Sequence, residues 1–76
     1  MPKLPRQISG QEIVKALLKL GYQVDHQTGS HIILRQNQQP FRRLTVPNHK
    51  DLAPGTLRAI IRQAGLTREE FLELIA

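Results

Sequence analysis

A chain of 76 residues, 39% of them hydrophobic, has room for one small domain with a modest core and not for a deep substrate cavity. Its 11 Lys and Arg outnumber its 6 Asp and Glu, and the net charge of +5 favours nucleic acid, an acidic protein or an anionic membrane as the partner. The absence of cysteine excludes disulfides and cysteine-ligated zinc, and no apolar run approaches the roughly 18 residues of a membrane span.

The first predicted element is a helix over residues 10–20. The sequence "SGQE" has the capping-box pattern, in which Ser9 accepts from the third helical amide and Glu12 reaches back to the cap. Gly21 is the residue type that ends a helix in a left-handed conformation. Apolar residues at helical spacing predict one buried stripe, made of Ile13, Val14, Leu17, Leu18 and Leu20.

Three short strands are predicted next. "YQVDHQ" at 22–27 is the first strand, and its period of two sets Tyr22, Val24 and His26 on one face against Gln23, Asp25 and Gln27 on the other. A turn follows at 28–29, and "SHIILR" at 30–35 is the second strand. The polar loop "QNQQP" leads to the third strand, "FRRLTV" at 41–46, which a proline ends. Two short connections between three strands predict an antiparallel meander.

Two helices complete the predicted domain. After an irregular loop at 47–53, Pro54 suits the first turn of a helix that Gly65 ends, and "TREE" at 67–70 is a second capping box. The buried stripes of these helices are predicted at Leu57, Ile60, Ile61 and Ala64, and at Phe71, Leu72 and Ile75. This order predicts a single α+β domain over 1–76, whose helices cover one face of the sheet and leave the other open.

Alternation predicts which side chains share a face of this sheet. The helix-covered face takes the apolar residues Ile32, Leu34, Leu44 and Val46. The open face carries a mixed set, made of His31, Ile33, Arg35, Phe41, Arg43 and Thr45. Arginines bind phosphate in bidentate fashion and an aromatic ring supports a base or sugar, so this face is suited to a nucleic-acid backbone.

The register of the last two strands follows from the loop between them. A hairpin that closes symmetrically around residue 38 sets His31 opposite Thr45 and Arg35 opposite Phe41. Each of these pairs lies on the open face, so the predicted register agrees with the predicted faces.

His31 is the candidate catalytic residue. Histidine is the side chain that most readily exchanges a proton near neutral pH. RNA cleavage by a 2′-hydroxyl needs proton removal, proton delivery and phosphate stabilisation, which His31 with Arg35 and Arg43 would supply without a metal. The hydroxyls of Ser30 and Thr45 are auxiliary candidates. The alternative interpretation is that His31 is a surface residue with no task.

The other two histidines have weaker claims. His49 lies in the loop before the second helix, where a loop-ordering hydrogen bond is the favoured interpretation and a second proton-transfer group is the alternative. His26 is expected to pack or to stay solvated. The three histidines lack the spacing of metal ligands, so neither a metal nor another cofactor is predicted.

Further basic residues extend the predicted RNA track. Arg58 and Arg62 are four residues apart on the outer face of the second helix. Such a pair is usually a solvated face, but like charges at this spacing repel slightly, which favours a phosphate or carboxylate target. Lys50, with the amides near Gly55 and Thr56 at the start of that helix, forms another candidate anion site.

Three stretches of the chain resemble one known family. "LPRQISGQEIVKALLKLGY" is similar to a capped helix of that family, and Gly29-Ser30-His31 is similar to its GSH signature. The similarity is strongest in "VPNHKDLAPGTLRAIIRQAGL", through Pro47, His49, Leu52, Gly55-Thr56-Leu57, Ile60 and Ala64-Gly65. On these residues the chain resembles the HicA-type toxins, the mRNA-cleaving partners in bacterial toxin–antitoxin pairs.

The resemblance implies a double-stranded-RNA-binding-domain-like fold and ribonuclease activity with His31 as the catalytic histidine. It also implies a HicB-like antitoxin that binds the toxin and masks its active site, with a toxin that is monomeric when free and hetero-oligomeric when bound. The basic start of the chain precedes no apolar run of signal-peptide length, so secretion is not expected and a cytoplasmic location is predicted.

Two other functions remain open at this point. A non-catalytic RNA-binding module of the same fold would need only the basic charge and would never cut RNA. A domain that docks an acidic protein would bind its partner tightly and show no affinity for RNA at low salt.

Overall fold

The computed structural model describes residues 7–75 and contains a helix, a three-stranded antiparallel sheet and two further helices. The predicted α+β class is confirmed, with the α-β-β-β-α order of double-stranded-RNA-binding domains and a short C-terminal helix. The elements are α1 Gly10–Leu18, β1 Tyr22–Thr28, β2 His31–Gln36, β3 Arg43–Pro47, α2 Pro54–Gln63 and α3 Arg68–Ile75. Within the described residues, none of these helices is long and apolar enough to cross a membrane.

Helix α1 begins where the capping box predicts and ends two residues before the predicted position. The Ser9 hydroxyl accepts from the Glu12 amide, and the Glu12 carboxylate accepts from the Ser9 amide, each at 3.2 Å. After Leu18 the chain turns through Gly21, whose φ of +90° lies in the left-handed region. Leu18 and Leu20 are therefore exposed and lie outside the buried stripe that the sequence predicts for them.

The start of α1 packs against the loop that follows β3. The Gly10 amide donates to the His49 carbonyl at 2.9 Å, and the Gln11 side chain donates to Asn48 Oδ1 at 3.0 Å. A Cβ at position 10 would collide with the Pro47 carbonyl oxygen, so glycine is required for this close approach. The loop between β3 and α2 is thereby held beside the N-terminal end of α1.

The covered face of the sheet is apolar, as the alternation predicts. Ile32, Leu34, Leu44 and Val46 are between 0% and 4% exposed. Helix α1 contacts β1, β3 and α3, and α2 contacts β3. The rest of the core is made of Ile8, Ile13, Val14, Ala16, Leu17, Tyr22, Leu52, Leu57, Ile60, Ile61 and Phe71. Because the helices bury this face, the opposite face of the same strands stays open to solvent.

Strands β2 and β3 pair two residues away from the predicted register. The predicted pairs, His31 with Thr45 and Arg35 with Phe41, are wrong. The observed pairs are His31 with Pro47, Ile33 with Thr45 and Arg35 with Arg43. A shift of two residues keeps every side chain of these strands on its predicted face, so the predicted faces are correct although the predicted register is not.

Phe41 explains this shift, because it belongs to the loop and not to the third strand. Its φ of +57° is left-handed, and its amide donates to the Gln38 carbonyl at 2.8 Å. The strand therefore begins at Arg43, and the centre of the hairpin moves toward the C-terminus. Phe41 is exposed but does not lie opposite Arg35, so the predicted aromatic support for a base at that position is not formed.

Strand β1 contains a bulge that the sequence prediction does not include. Val24 is opposite Leu34, but His26 is opposite Ile33, so Asp25 has no partner residue on β2. An inserted residue reverses the alternation that follows it. The prediction that Val24 and His26 share a face is therefore wrong, and His26 lies on the open face with Ile33.

The starts and ends of helices α2 and α3 follow the sequence prediction closely, but of the stripe predicted for α3 only Phe71 is fully buried. Pro54 is the first residue of α2, and Gly65, with a φ of +77°, follows its C-terminal end. The Thr67 amide donates to Glu70 Oε1 at 2.8 Å, and the Glu70 amide donates to the Thr67 hydroxyl at 3.1 Å, which forms the second capping box. Phe71 of α3 is buried in the core, and α3 packs against α1.

Candidate active site

His31 is the first residue of β2, and its side chain is exposed on the open face of the sheet. Across the sheet it lies opposite Thr28 on β1 and Pro47 on β3. The turn before it is tied to the loop after β3, because the Ser30 carbonyl accepts from the Asn48 amide at 2.6 Å. The backbone on both sides of the imidazole is thus held by neighbouring segments, while the ring itself is open to solvent.

Thr45 lies diagonally from His31 and not directly opposite it. It pairs with Ile33, the next open-face residue along β2, and it is exposed. Diagonal neighbours in an antiparallel pair have Cα atoms about 7–8 Å apart. The Thr45 hydroxyl is therefore in the neighbourhood of the imidazole without facing it. Ser30, the other auxiliary candidate, is exposed in the turn before β2.

A second cluster on the open face centres on Asp25 in the β1 bulge. Arg43 Nη2 donates to Asp25 Oδ2 at 3.1 Å, and Arg35 Nη2 lies 3.7 Å from Asp25 Oδ1. His26 Nδ1 lies 3.1 Å from Asp25 Oδ2. One carboxylate thus joins two arginines and one histidine, drawn from all three strands, and we call this set the Asp25 cluster.

The Asp25 cluster orients side chains more than it stabilises the fold. The Arg35 and Arg43 side chains are about half exposed, and ion pairs in such positions contribute at most about 1 kcal/mol each. The Asp25 carboxylate is the least exposed member of the cluster, at 24%. The Asp25 carboxylate therefore acts mainly by position, because it holds two guanidiniums beside each other on the face that carries His31.

The loop histidine takes part in structure through its backbone. The carbonyl of His49 accepts from the Gly10 amide, so a loop-ordering hydrogen bond does form here, although the imidazole does not make it. The His49 side chain is exposed. Lys50, the next residue, is exposed in the same loop.

The remaining predicted RNA-binding residues belong to the helical layer. Arg58 and Arg62 of α2 line a shallow open groove together with Leu66 and Arg68. Arg35 and Arg43, by contrast, lie on the open face of the sheet. The structure therefore groups the predicted arginines into two sets, one on each layer of the domain.

Arg42 differs from its neighbour Arg43. Its Nη1 donates to the Gln63 carbonyl at 3.0 Å, at the C-terminal end of α2. Burial raises the pKa of the Tyr22 hydroxyl above its ordinary value, and the Arg42 guanidinium lowers it in part. The Tyr22 hydroxyl oxygen is buried and has no hydrogen-bond partner among the described residues. The Arg42 side chain thus contacts the helical layer and does not join the basic residues of the open face.

Asp25 and His26 are the site residues that sequence reasoning missed. Asp25 is the only acidic residue between Glu12 and Asp51, in a segment that contains Arg35, Arg42 and Arg43. A lone carboxylate among so many cations is a signal that could have indicated an ion-pair partner. No sequence signal indicated the bulge, so the face of His26 could not have been found in this way.

No group of three or more His, Asp and Glu side chains within residues 7–75 is arranged to hold a metal ion. The family model described as HicA toxin of bacterial toxin–antitoxin systems matches residues 10–66, which run from the start of α1 to just beyond α2. No curated protein matches the chain.

Proposed function

This chain belongs to the HicA family of toxins from bacterial toxin–antitoxin systems, and from that premise we propose that it is an endoribonuclease that cleaves mRNA in the cytoplasm. The observation that carries this proposal is the position of His31. Its imidazole is exposed on the open face of the sheet, on the same strand as Arg35 and next to the strand of Arg43. Proton transfer and phosphate binding are thus available on one surface.

The reaction is an internal attack by the ribose 2′-hydroxyl on the adjacent phosphorus. His31 exchanges a proton with the reacting oxygens, and such a group contributes about 10²–10⁴-fold to the rate. Arg35 and Arg43 bind the phosphate and stabilise the charge that develops on its oxygens. The products are a 2′,3′-cyclic phosphate and a 5′-hydroxyl, and the reaction requires no metal.

The other basic residues bind RNA away from the cleaved bond. Other phosphates of the bound RNA strand, as it continues around the domain, are contacted by Lys50 in the loop and by Arg58 and Arg62 on α2. Their contribution is electrostatic and independent of sequence, so it weakens as salt increases. Ser30, Thr45 and His49 are auxiliary groups near the site.

Membership of the family implies an antitoxin partner, and we propose that it is a HicB-like protein that covers the open face. A partner on this face would hide His31 and the Asp25 cluster together, and it would exclude RNA. The toxin is then monomeric when free and hetero-oligomeric in the complex. Added antitoxin should abolish cleavage in proportion to the complex formed.

The decisive experiment compares the wild-type protein with His31→Ala on the same mRNA in the presence of EDTA. The wild type should release fragments with 2′,3′-cyclic phosphate ends, and the variant should cut at least about 10²-fold more slowly. Urea denaturation of both proteins shows whether the variant is folded. A wild-type protein that binds RNA without cutting it would identify a non-catalytic binding module, and one that binds no RNA at low salt would leave a protein-docking domain.

A further inference from the structure

The β1 bulge brings a second histidine to the face of His31. His26 is opposite Ile33 and Thr28 is opposite His31, so His26 is the diagonal neighbour of His31 across the β1–β2 pair. The Cα atoms of such neighbours are about 7–8 Å apart, and their side chains share one face of the sheet. We propose that His26 is the second proton-transfer group of the site, an inference that rests on the proposed ribonuclease function.

Asp25 prepares His26 for this role. Its carboxylate can only accept, so the 3.1 Å contact requires the proton of the imidazole to lie on Nδ1, and Nε2 is the nitrogen left to serve the substrate. To donate from Nε2 the ring must carry a proton on each nitrogen, and Asp25 then accepts the one on Nδ1. The His26 side chain is 52% exposed, so a substrate can reach it.

The groups around His26 are suited to bind a phosphate whose leaving 5′-oxygen lies next to the imidazole. Among the described residues, the charged and titratable groups that share its face are Asp25 on β1, His31 and Arg35 on β2, and Arg43 on β3. The two arginines hold phosphate, while His26 and His31 stand on different strands. A ribose-phosphate unit between these strands would present its 2′-oxygen to one imidazole and its 5′-oxygen to the other.

The two imidazoles then divide the reaction between them. His31 takes the proton from the 2′-hydroxyl as the 2′-oxygen forms its bond to phosphorus. The bond between phosphorus and the 5′-oxygen breaks, and that oxygen receives the proton from Nε2 of His26. The products are the 2′,3′-cyclic phosphate and the 5′-hydroxyl, and both rings return to their starting protonation by exchange with water.

His49, the alternative second group, is less well placed. It lies in the loop between β3 and α2, and none of the contacts described for it orients its imidazole. His26 has a carboxylate partner and a position in the sheet. The geometry therefore favours the histidine that the bulge turns outward.

The test uses a leaving group that does not need a proton. The wild-type protein first defines a cleaved bond in a short RNA, and a second RNA then carries sulfur in place of the 5′-bridging oxygen at that bond. His26→Gln should slow cleavage of the oxygen substrate by about 10²-fold or more. It should slow cleavage of the sulfur substrate by less than about tenfold, because a thiolate leaves without protonation. His31→Ala should be slow on both substrates.

A transposed variant is the matched control. His26→Gln combined with Gln27→His keeps the composition but moves the imidazole to a residue that pairs with Ile32, on the other face. It should be as slow as His26→Gln on the oxygen substrate, and urea denaturation should show that both variants are folded.

The outcomes separate this inference from the proposed function. If the wild type cuts neither substrate, the ribonuclease proposal fails. If the wild type cuts and His31→Ala does not, while His26→Gln retains activity within about threefold, the ribonuclease stands and His26 is not its acid. Equal loss on the oxygen and sulfur substrates would likewise overturn proton donation by His26.

Discussion

The two faces of β2 differ completely although their residues alternate along one short strand. Ile32 and Leu34 are almost fully buried beneath the helices, whereas His31 and Arg35 are exposed. Each side chain is next in sequence to one with the opposite environment. The comparison teaches that this small domain obtains its stability and its candidate chemistry from the same backbone, and that either property should respond to substitution without the other.

The largest effect is expected on the covered face. Leu34→Ala should lower the free energy of unfolding by about 2–5 kcal/mol, because it leaves a cavity in the centre of the core. Arg35→Ala, one residue away on the open face, should change it by no more than about 1 kcal/mol, the most that its exposed ion pair contributes. Urea denaturation of the two variants measures the difference. Equal losses would show that the open face also carries the fold.

A smaller effect is expected when two adjacent arginines are compared. Arg43→Ala should weaken binding of single-stranded RNA and reduce the slope of log affinity against log salt by about 0.7, the value for one lost phosphate contact. Arg42→Ala should leave this slope unchanged, because its guanidinium contacts the end of α2. Fluorescence anisotropy over a salt series, in the His31→Ala background to prevent cleavage, gives both slopes. A reduced slope for Arg42→Ala alone would contradict the assignment of the two side chains.

The smallest effect is expected at Tyr22, a residue of the core. Tyr22→Phe removes a buried hydroxyl that has no partner among the described residues, so it should raise the free energy of unfolding by up to about 1 kcal/mol. Urea denaturation at neutral pH measures this change. A loss of about 1 kcal/mol would instead indicate that the hydroxyl makes a stabilising contact.

The same variant should also alter the dependence of stability on pH. Because burial raises the pKa of Tyr22 in the folded state, the unfolded chain ionises first as the pH increases. The wild type should therefore lose stability as the pH rises above the ordinary tyrosine value of about 10, and Tyr22→Phe should lose less. Denaturation curves collected across this range compare the two proteins.

Much of the fold can be read from local signals in the sequence. The capping boxes at Ser9 and Thr67 set the starts of two helices, and Pro54 sets the start of a third. Alternation in β2 and β3 assigns the covered and open faces correctly, including the exposure of His31. These features depend on residues within one turn of helix or a few residues of strand, so neighbouring sequence contains the information they need.

The composition of the site depends on longer-range geometry. The left-handed Phe41 sets where β3 begins, and the bulge at Asp25 sets which face His26 occupies. Both are backbone conformations that become favourable only when the strands pair and their side chains pack. The contacts between Asp25 and the two arginines follow from those choices.

The sequence by itself determined the order of the elements, the apolar face and the outward position of His31, because periodicity and capping act between residues close in the chain. Only the tertiary structure decided the register of the hairpin, the Asp25 cluster and the arrival of His26 beside His31. These features depend on the extra residue at the β1 bulge and on the two-residue shift between β2 and β3. One register becomes more stable than its alternatives only when the whole sheet packs against its helices.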